Sequence, residues 1–267
     1  MSQPRPLDGR VALVTGVSRR IGIAAAVADR LHQLGATVHA TGWPEHDRAM
    51  PWGDGDAAAL PFAIASHDLA DPGAPAAVVD EVIATAGRLD VVAAVHARSS
   101  SGDLASVTAE ELDRSFAVNV RSVILLAKRF AAVHRPAPAD AAPTGRMLWF
   151  TSGQHLGPMD GEIAYAVSKG ALHQMTATIA RALSDSRIVA NCINPGPVDT
   201  GWADAATRDQ VANRFPDGRW GTPDDIANLV EFLATDQGAW IRGQVIDAEG
   251  GFDRFGTVDG QTGQEGR

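Results

Sequence analysis

The chain has 267 residues, 45% hydrophobic and 21% charged, with 23 Lys and Arg against 32 Asp and Glu and a single cysteine. That length suits one large α/β domain or two small ones, and the composition excludes a disordered chain and a disulfide scaffold. A net charge of −9 and a pI near 5.3 argue against nucleic-acid binding, which needs clustered Lys and Arg. No apolar run is long enough for a membrane span, and Met1 to Arg10 holds no apolar signal core, so a cytoplasmic, reducing location is expected.

Short β-branched runs alternate with longer amphipathic stretches from end to end, without internal repeats. This predicts a single doubly wound α/β domain, a Rossmann-like parallel sheet of seven strands with crossover helices. Strands are expected at residues 11–15, 37–41, 62–65, 89–95, 147–151, 188–194 and 244–247. The first runs through Thr15-Gly16-Val17-Ser18-Arg19-Arg20-Ile21-Gly22 into a helical stretch. Gly16 permits a tight turn, Gly22 lets the helix lie close on the sheet, and free N–H groups at the helix start face a pyrophosphate. Arg20 stands where a central glycine is usual. Residues 21–34 place Ile21, Ala24, Ala25, Ala28 and Leu31 on one helical face, with Gly35 as the stop. The second strand ends at Thr41-Gly42-Trp43 with no carboxylate for an adenosine 2′-hydroxyl, while Ser18, Arg19 and Arg20 offer donors to a 2′-phosphate. That combination favours NADP(H) over NAD(H), unless the arginines are simply solvated surface charges.

Residues 43–60 read as a loop. Next, Asp68-Leu69 offers either a carboxylate for the adenine amino group or an ordinary turn. A helix then opens with Thr108 and Glu111 at capping-box spacing and carries Leu112, Phe116, Val120, Val123 and Leu126 inward. Asn119 within it is a poor helix former, so a polar contact to backbone and water is expected. Ser152 follows the fifth strand, at the sheet edge where doubly wound folds bind ligands. Thirteen residues on, Tyr165, the only tyrosine, shares a helical face with Lys169. A lysine ammonium beside the phenol is expected to lower its pKa from about 10, making Tyr165 an acid or base near neutrality. Gln154, His155 and Met159 fall where a substrate wall belongs, His155 as wall or hydrogen-bond partner rather than catalyst. The histidines show no metal-ligand spacing, so no metal site is expected, and Cys192 reads as a small buried apolar residue. Trp202, Phe215 and Trp220 form either an aromatic lid or local packing. Thr222 caps a further helix with Pro223 in its first turn. The domain is expected over residues 1–251, and 252–267 reads as a mobile tail.

These residues resemble the classical short-chain dehydrogenases/reductases, near the 3-oxoacyl-carrier-protein reductases, over almost the whole chain. The resemblance rests on Thr15-Gly16 to Gly22, Asp68-Leu69, Leu89-Asp90-Val91, Asn119-Val120, Ser152 with Tyr165 and Lys169, Asn194 to Thr200, and Gly243-Gln244 to Gly250-Gly251. It implies that Tyr165 donates and accepts the proton, Lys169 binds the nicotinamide ribose and tunes Tyr165, Ser152 orients the carbonyl, and Asn119 anchors a relay water. Pro195, Gly196, Val198 and Thr200 would line the nicotinamide. Two departures stand out: Ala94-Val95-His96-Ala97 replaces the family's Asn-Asn-Ala-Gly, and Arg20 replaces the middle glycine. The implied activity is NADP(H)-dependent interconversion of a small-molecule ketone and a secondary alcohol. The implied assembly is a homo-oligomer, dimer or tetramer, with the helices of Asn119 and Tyr165 paired across an axis. One rival is an idle NADP(H)-binding sensor or scaffold, to which only the altered 94–97 segment points. The other is a dehydratase or dehalogenase relative, against which Lys169 and the intact phosphate turn argue.

Overall fold

A computed structural model describes residues 4–48, 60–201, 203 and 205–255. Its seven strands are β1 (Val11–Thr15), β2 (Thr37–Gly42), β3 (Ile64–Ser66), β4 (Val91–Ala94), β5 (Gly145–Phe150), β6 (Ile188–Asn194) and β7 (Val245–Asp247). All pair in parallel in the order β3-β2-β1-β4-β5-β6-β7. Chain direction across the sheet reverses after β3, so β1 and β4 lie side by side at the switch point where such sheets open a crevice. β1, β4, β5 and β6 are buried throughout, which explains their near-continuous apolar runs.

Among the described residues there are eight α-helices: α1 (Ile23–Gln33), α2 (Pro44–Arg48), α3 (Ala74–Ala86), α4 (Ala109–Phe116), α5 (Ser122–Val133), α6 (Ile163–Leu183), α7 (Ala205–Ala212) and α8 (Pro223–Ala234). α1 and α8 enclose one core around Val14, Leu31, Leu148 and Val230. α3, α5 and α6 enclose the other around Leu13, Val79, Leu126, Trp149 and Leu172. Thr222 and Asp225 form a reciprocal capping box at the start of α8. At the far end of the sheet from the crevice, the fully buried Arg146 guanidinium donates to the carbonyls of Leu233 and Thr235, which closes the end of α8. Among the described residues no helix is long and apolar enough to cross a membrane.

Several sequence expectations need correction. Ile21 is 52% exposed and precedes α1, because Gly22 is an extended N-cap (ψ 158°) rather than part of the helix. The helix from Thr108 is not continuous: a π turn at Ala117–Arg121 separates α4 from α5. The wider turn breaks the helical period. Val120, Val123 and Leu126 stay buried, while Leu112 and Phe116, one or two turns earlier, are 37% and 50% exposed. The expected loop at 43–60 begins with the short α2, and its residues 49–59 lie outside the described residues. In the first residues of the expected tail, the Asp253 N–H donates to the Arg214 carbonyl and Arg254 pairs with Glu249, while 256–267 lie outside the described residues.

Candidate active site

A cavity of about 780 Å³ runs along the carboxyl edge of the sheet, from Gly16, Asp47 and Asp68 at one end to Ser152, Tyr165 and Arg254 at the other. At the first end Gly16 takes a φ of +86°, and a Cβ there would lie 2.6 Å from the His96 Cα. Gly42, which the sequence reading passed over as a structural residue, is equally confined: its Cβ would lie 2.7 Å from the Val17 carbonyl carbon. Both glycines are therefore demanded by close backbone approach. Gly22, Ile23 and Ala24 line the cavity, and the first turn of α1 holds no acidic residue, so its free N–H groups suit an anion.

Ser18, Arg19, Asp68 and Leu69 also line this end, whereas Arg20 and Ile21 are exposed and stand outside the lining. The half-buried Arg19 guanidinium donates to the Thr200 carbonyl at 2.7 Å. Burial lowers its pKa, and the Asp47 charge opposes that shift. Asp47, on α2 and itself 8% exposed, brings a carboxylate to an end where the last residues of β2 supply none. Asp68 lines the cavity, and its carboxylate accepts from the Ala70 N–H at 2.8 Å, as in an ordinary turn.

At the switch point, the buried His96 ring lies 2.6 Å from the Thr15 hydroxyl through Nδ1 and 2.7 Å from the Ser122 hydroxyl through Nε2. The Ser122 hydroxyl donates to the Val118 carbonyl, so Nε2 carries the ring proton and Nδ1 accepts from Thr15. Burial, aided by the Lys169 charge, pushes the imidazole pKa down to about 3, so the ring is neutral. This single side chain ties the end of β1 to the π turn and the start of α5.

Asn119 sits in that π turn and is fully buried. Its Oδ1 accepts from the Arg98 N–H at 2.7 Å, and its Nδ2 donates to the Arg98 carbonyl at 3.0 Å and the Ser168 hydroxyl at 2.8 Å. The Ser168 hydroxyl in turn donates to the Tyr165 carbonyl at 2.7 Å. A costly polar residue on an apolar helix is thus explained by protein contacts that join the segment after β4 to α6.

Ser152, two residues beyond β5, and Tyr165, in the first turn of α6, line the same cavity. Two reciprocal bonds lock strand and helix together: Thr151 Oγ1 donates to the Lys169 carbonyl at 2.8 Å, and Lys169 Nζ donates to the Phe150 carbonyl at 2.7 Å. The ammonium stands 5.6 Å from the Tyr165 ring centroid, and burial brings its pKa down to about 8. The expected depression of the phenol pKa does not occur in the protein by itself. Loss of water pushes Tyr165 up to about 12; Ser152, which favours the ionised phenol, works against this, and the Glu162 charge adds to it.

Of the remaining expected positions, Gly196 and Thr200 line the cavity and Pro195 and Val198 do not. Gly196 has a φ of +63° and packs against Glu249, so a Cβ would lie 2.8 Å from the Glu249 Cα. Val198 is buried and pairs with Gly221 as an isolated bridge. His155 Nε2 lies 3.1 Å from an Asp247 oxygen. Trp220 and Phe215 are buried, and Trp220 lines the cavity; Trp202 lies outside the described residues. Among the described residues no cluster of metal-ligating side chains exists. Sequence reasoning missed Glu162, Phe252 and Arg254, all in the cavity wall. Only Glu162 carried a usable signal, a carboxylate one helical turn before Tyr165.

The family described as Enoyl-(Acyl carrier protein) reductase matches residues 16–253. The chain is 34% identical to the "Uncharacterized oxidoreductase YjdA" of Bacillus subtilis, over 92% of this chain and 97% of that protein. It is 33% identical to versicolorin reductase 1 of Aspergillus parasiticus, over 94% of this chain and 99% of that one. Among solved structures, a short chain dehydrogenase from Burkholderia cenocepacia in complex with NADP superposes with a TM-score of 0.78 at 33% identity, over 92% of this chain and 98% of that one.

Proposed function

The chain belongs to the short-chain dehydrogenase/reductase family of oxidoreductases, and from that premise we propose that it interconverts a ketone and a secondary alcohol with NADP(H). The observation that carries this reading is the convergence of Ser152 and Tyr165 on one cavity with Lys169 locked behind them on α6. When bound, the nicotinamide supplies or accepts the hydride. Ser152 holds the carbonyl oxygen, and Tyr165 donates its phenolic proton to that oxygen in the reducing direction. An un-ionised phenol, with its pKa near 12, is suited to that donation. Lys169 stabilises the phenolate left behind and holds the ribose, and Asn119 keeps the proton-return path in place through Arg98, Ser168 and a relay water.

The glycine cradle fits a dinucleotide: Gly16 and Gly42 admit no side chain, and the start of α1 opens its N–H groups to a pyrophosphate. Ser18 and Arg19 support NADP(H), as does the NADP complex of the Burkholderia relative, while Asp47 weakens the local positive charge. NAD(H) is therefore the poorer cofactor in this reading. Gly196 and Thr200, with Pro195 and Val198 behind them, complete the nicotinamide end. The exposed apolar residues Leu112, Phe116 and Val167 on α4 and α6 support self-association as a dimer or tetramer, which light scattering tests. A cytoplasmic location stays within the proposal.

The decisive experiment is Tyr165→Phe. Turnover is expected to fall by about 10²–10⁴-fold while NADPH fluorescence still reports binding, and retained turnover would sink the assignment. The rival of an idle binder rested on the 94–97 segment, and His96 there supplies bonds rather than losing them.

A further inference from the structure

Glu162 has no role in the reaction just described, yet its placement is unusually well defined. Its backbone is pinned to the loop after β4: the Gly102 N–H donates to the Gly161 carbonyl at 2.7 Å and the Ile163 N–H donates to the Gly102 carbonyl at 3.0 Å. It occupies the position before α6, but its side chain makes no capping hydrogen bond there, and glutamate is not a favoured residue for that task. Instead it lines the cavity beside Tyr165, half-buried, with no hydrogen bond or ion pair to its carboxylate among the described residues. A carboxyl group removed from water without a partner is costly, and desolvation raises its pKa accordingly. A ligand donor would relieve that cost.

Trp220 and Phe252 line the same cavity, and each is held by contacts of its own. The Trp220 indole N–H is bonded to the Arg208 carbonyl at 2.7 Å, and the Phe252 ring lies 5.0 Å from that of Phe215, with the Arg214 guanidinium 4.7 Å above it. Such walls suit a flat ring. A cationic donor is disfavoured, because the Lys169 ammonium, one turn beyond Tyr165, has no carboxylate partner among the described residues. A neutral hydroxyl is not.

We infer that Glu162 is the specificity-determining residue of the substrate end, accepting a hydrogen bond from a ring hydroxyl of a flat aromatic ketone whose carbonyl is held by Ser152 and Tyr165. This rests on the ketone-reducing reading above. The class of substrate is then a hydroxylated aromatic ketone, with the hydroxyl recognised separately from the reacting oxygen.

The test compares tetralone with a set of monohydroxylated tetralones, in wild type and in Glu162→Leu and Glu162→Gln. Two quantities are read: binding to the NADP-loaded protein by tryptophan quenching, and kcat/KM from NADPH absorbance. Wild type is expected to prefer at least one hydroxytetralone over tetralone by about tenfold, the scale of a hydrogen bond to a charged acceptor. In Glu162→Leu that ratio is expected to fall to near unity. The ratio is the informative readout, since altered folding or an altered Tyr165 changes both ketones together and leaves it intact. The inference is overturned if wild type shows no preference, or if the preference survives in the variant. Should the leucine variant not fold, the isosteric Glu162→Gln, an acceptor without the charge, is expected to lower the same ratio, and an unchanged ratio overturns the inference. A binding preference that disappears in the variant, without reduction of any ketone by wild type, overturns the proposed reaction and upholds the subsite.

Discussion

At one end of the cavity Ser152 and Tyr165, with Lys169 behind them, stand on or beside β5 and α6, which are locked by the paired bonds of Thr151 and Lys169. At the opposite end Ser18, Arg19, Asp47 and Asp68 stand on turns and on the short α2. Regular elements place a side chain largely by spacing, and Ser152 and Tyr165 line one cavity. On turns, charged groups settle by local competition: Arg19 engages the Thr200 carbonyl and is balanced by Asp47 before any ligand is considered. The lesson is that a charge counted in a sequence is not yet a charge available to a ligand.

The strongest way to break this contrast is at the rigid end. Lys169→Met is expected to lower kcat by about a hundredfold or more, read with any ketone that wild type reduces; a variant with near-normal kcat removes the lysine from the proton chemistry. Next in size is the cradle. Gly16 combines a positive φ with a backbone neighbour 2.6 Å from the Cβ position, so substitution there strains the fold itself. Gly16→Val is expected to cost about 3 kcal/mol or more in urea unfolding, a loss that Ser18→Ala on the same turn does not share.

The loop-built end responds more mildly. Arg19→Gln is expected to reduce the preference for NADPH over NADH by about tenfold, measured as the ratio of dissociation constants. Asp47→Asn shifts that ratio the other way by about threefold. If neither variant moves it, cofactor choice is made elsewhere in the cavity. A separate effect lies in pH dependence. The folded His96 has a pKa of about 3 against 6.5 for the ordinary imidazole, so below pH 6.5 the unfolded chain takes up a proton that the folded one refuses. Stability is fully present above that value and declines as pH falls toward the folded pKa. His96→Asn is expected to flatten this acid limb, seen by comparing urea midpoints at about pH 7 and about pH 4.5.

Much of the fold was legible because its strands are buried on both faces and therefore written as apolar runs; β1 and β6 fall at their expected bounds. The helix from Thr108 was legible only in part. A 3.6-residue period projects Leu112 and Phe116 inward, and the π turn that rotates them outward leaves no mark in composition. The phenol pKa was misjudged for a related reason: lysine spacing was visible, but the loss of water around Tyr165 depends on how the folded chain buries it, which spacing does not record.

What the sequence determined by itself was the doubly wound sheet, the phosphate-type turn after β1 and the set of polar residues at the end of β5 and on α6. These follow from periodicity and fixed spacing, which are local properties of the chain. The tertiary structure alone decided which charges are already paired, that residues after Gly251 close one wall of the cavity, that His96 braces β1 against the π turn, and that Glu162 faces the cavity without a partner. Each depends on the approach of segments distant in the chain, and on the water those approaches exclude.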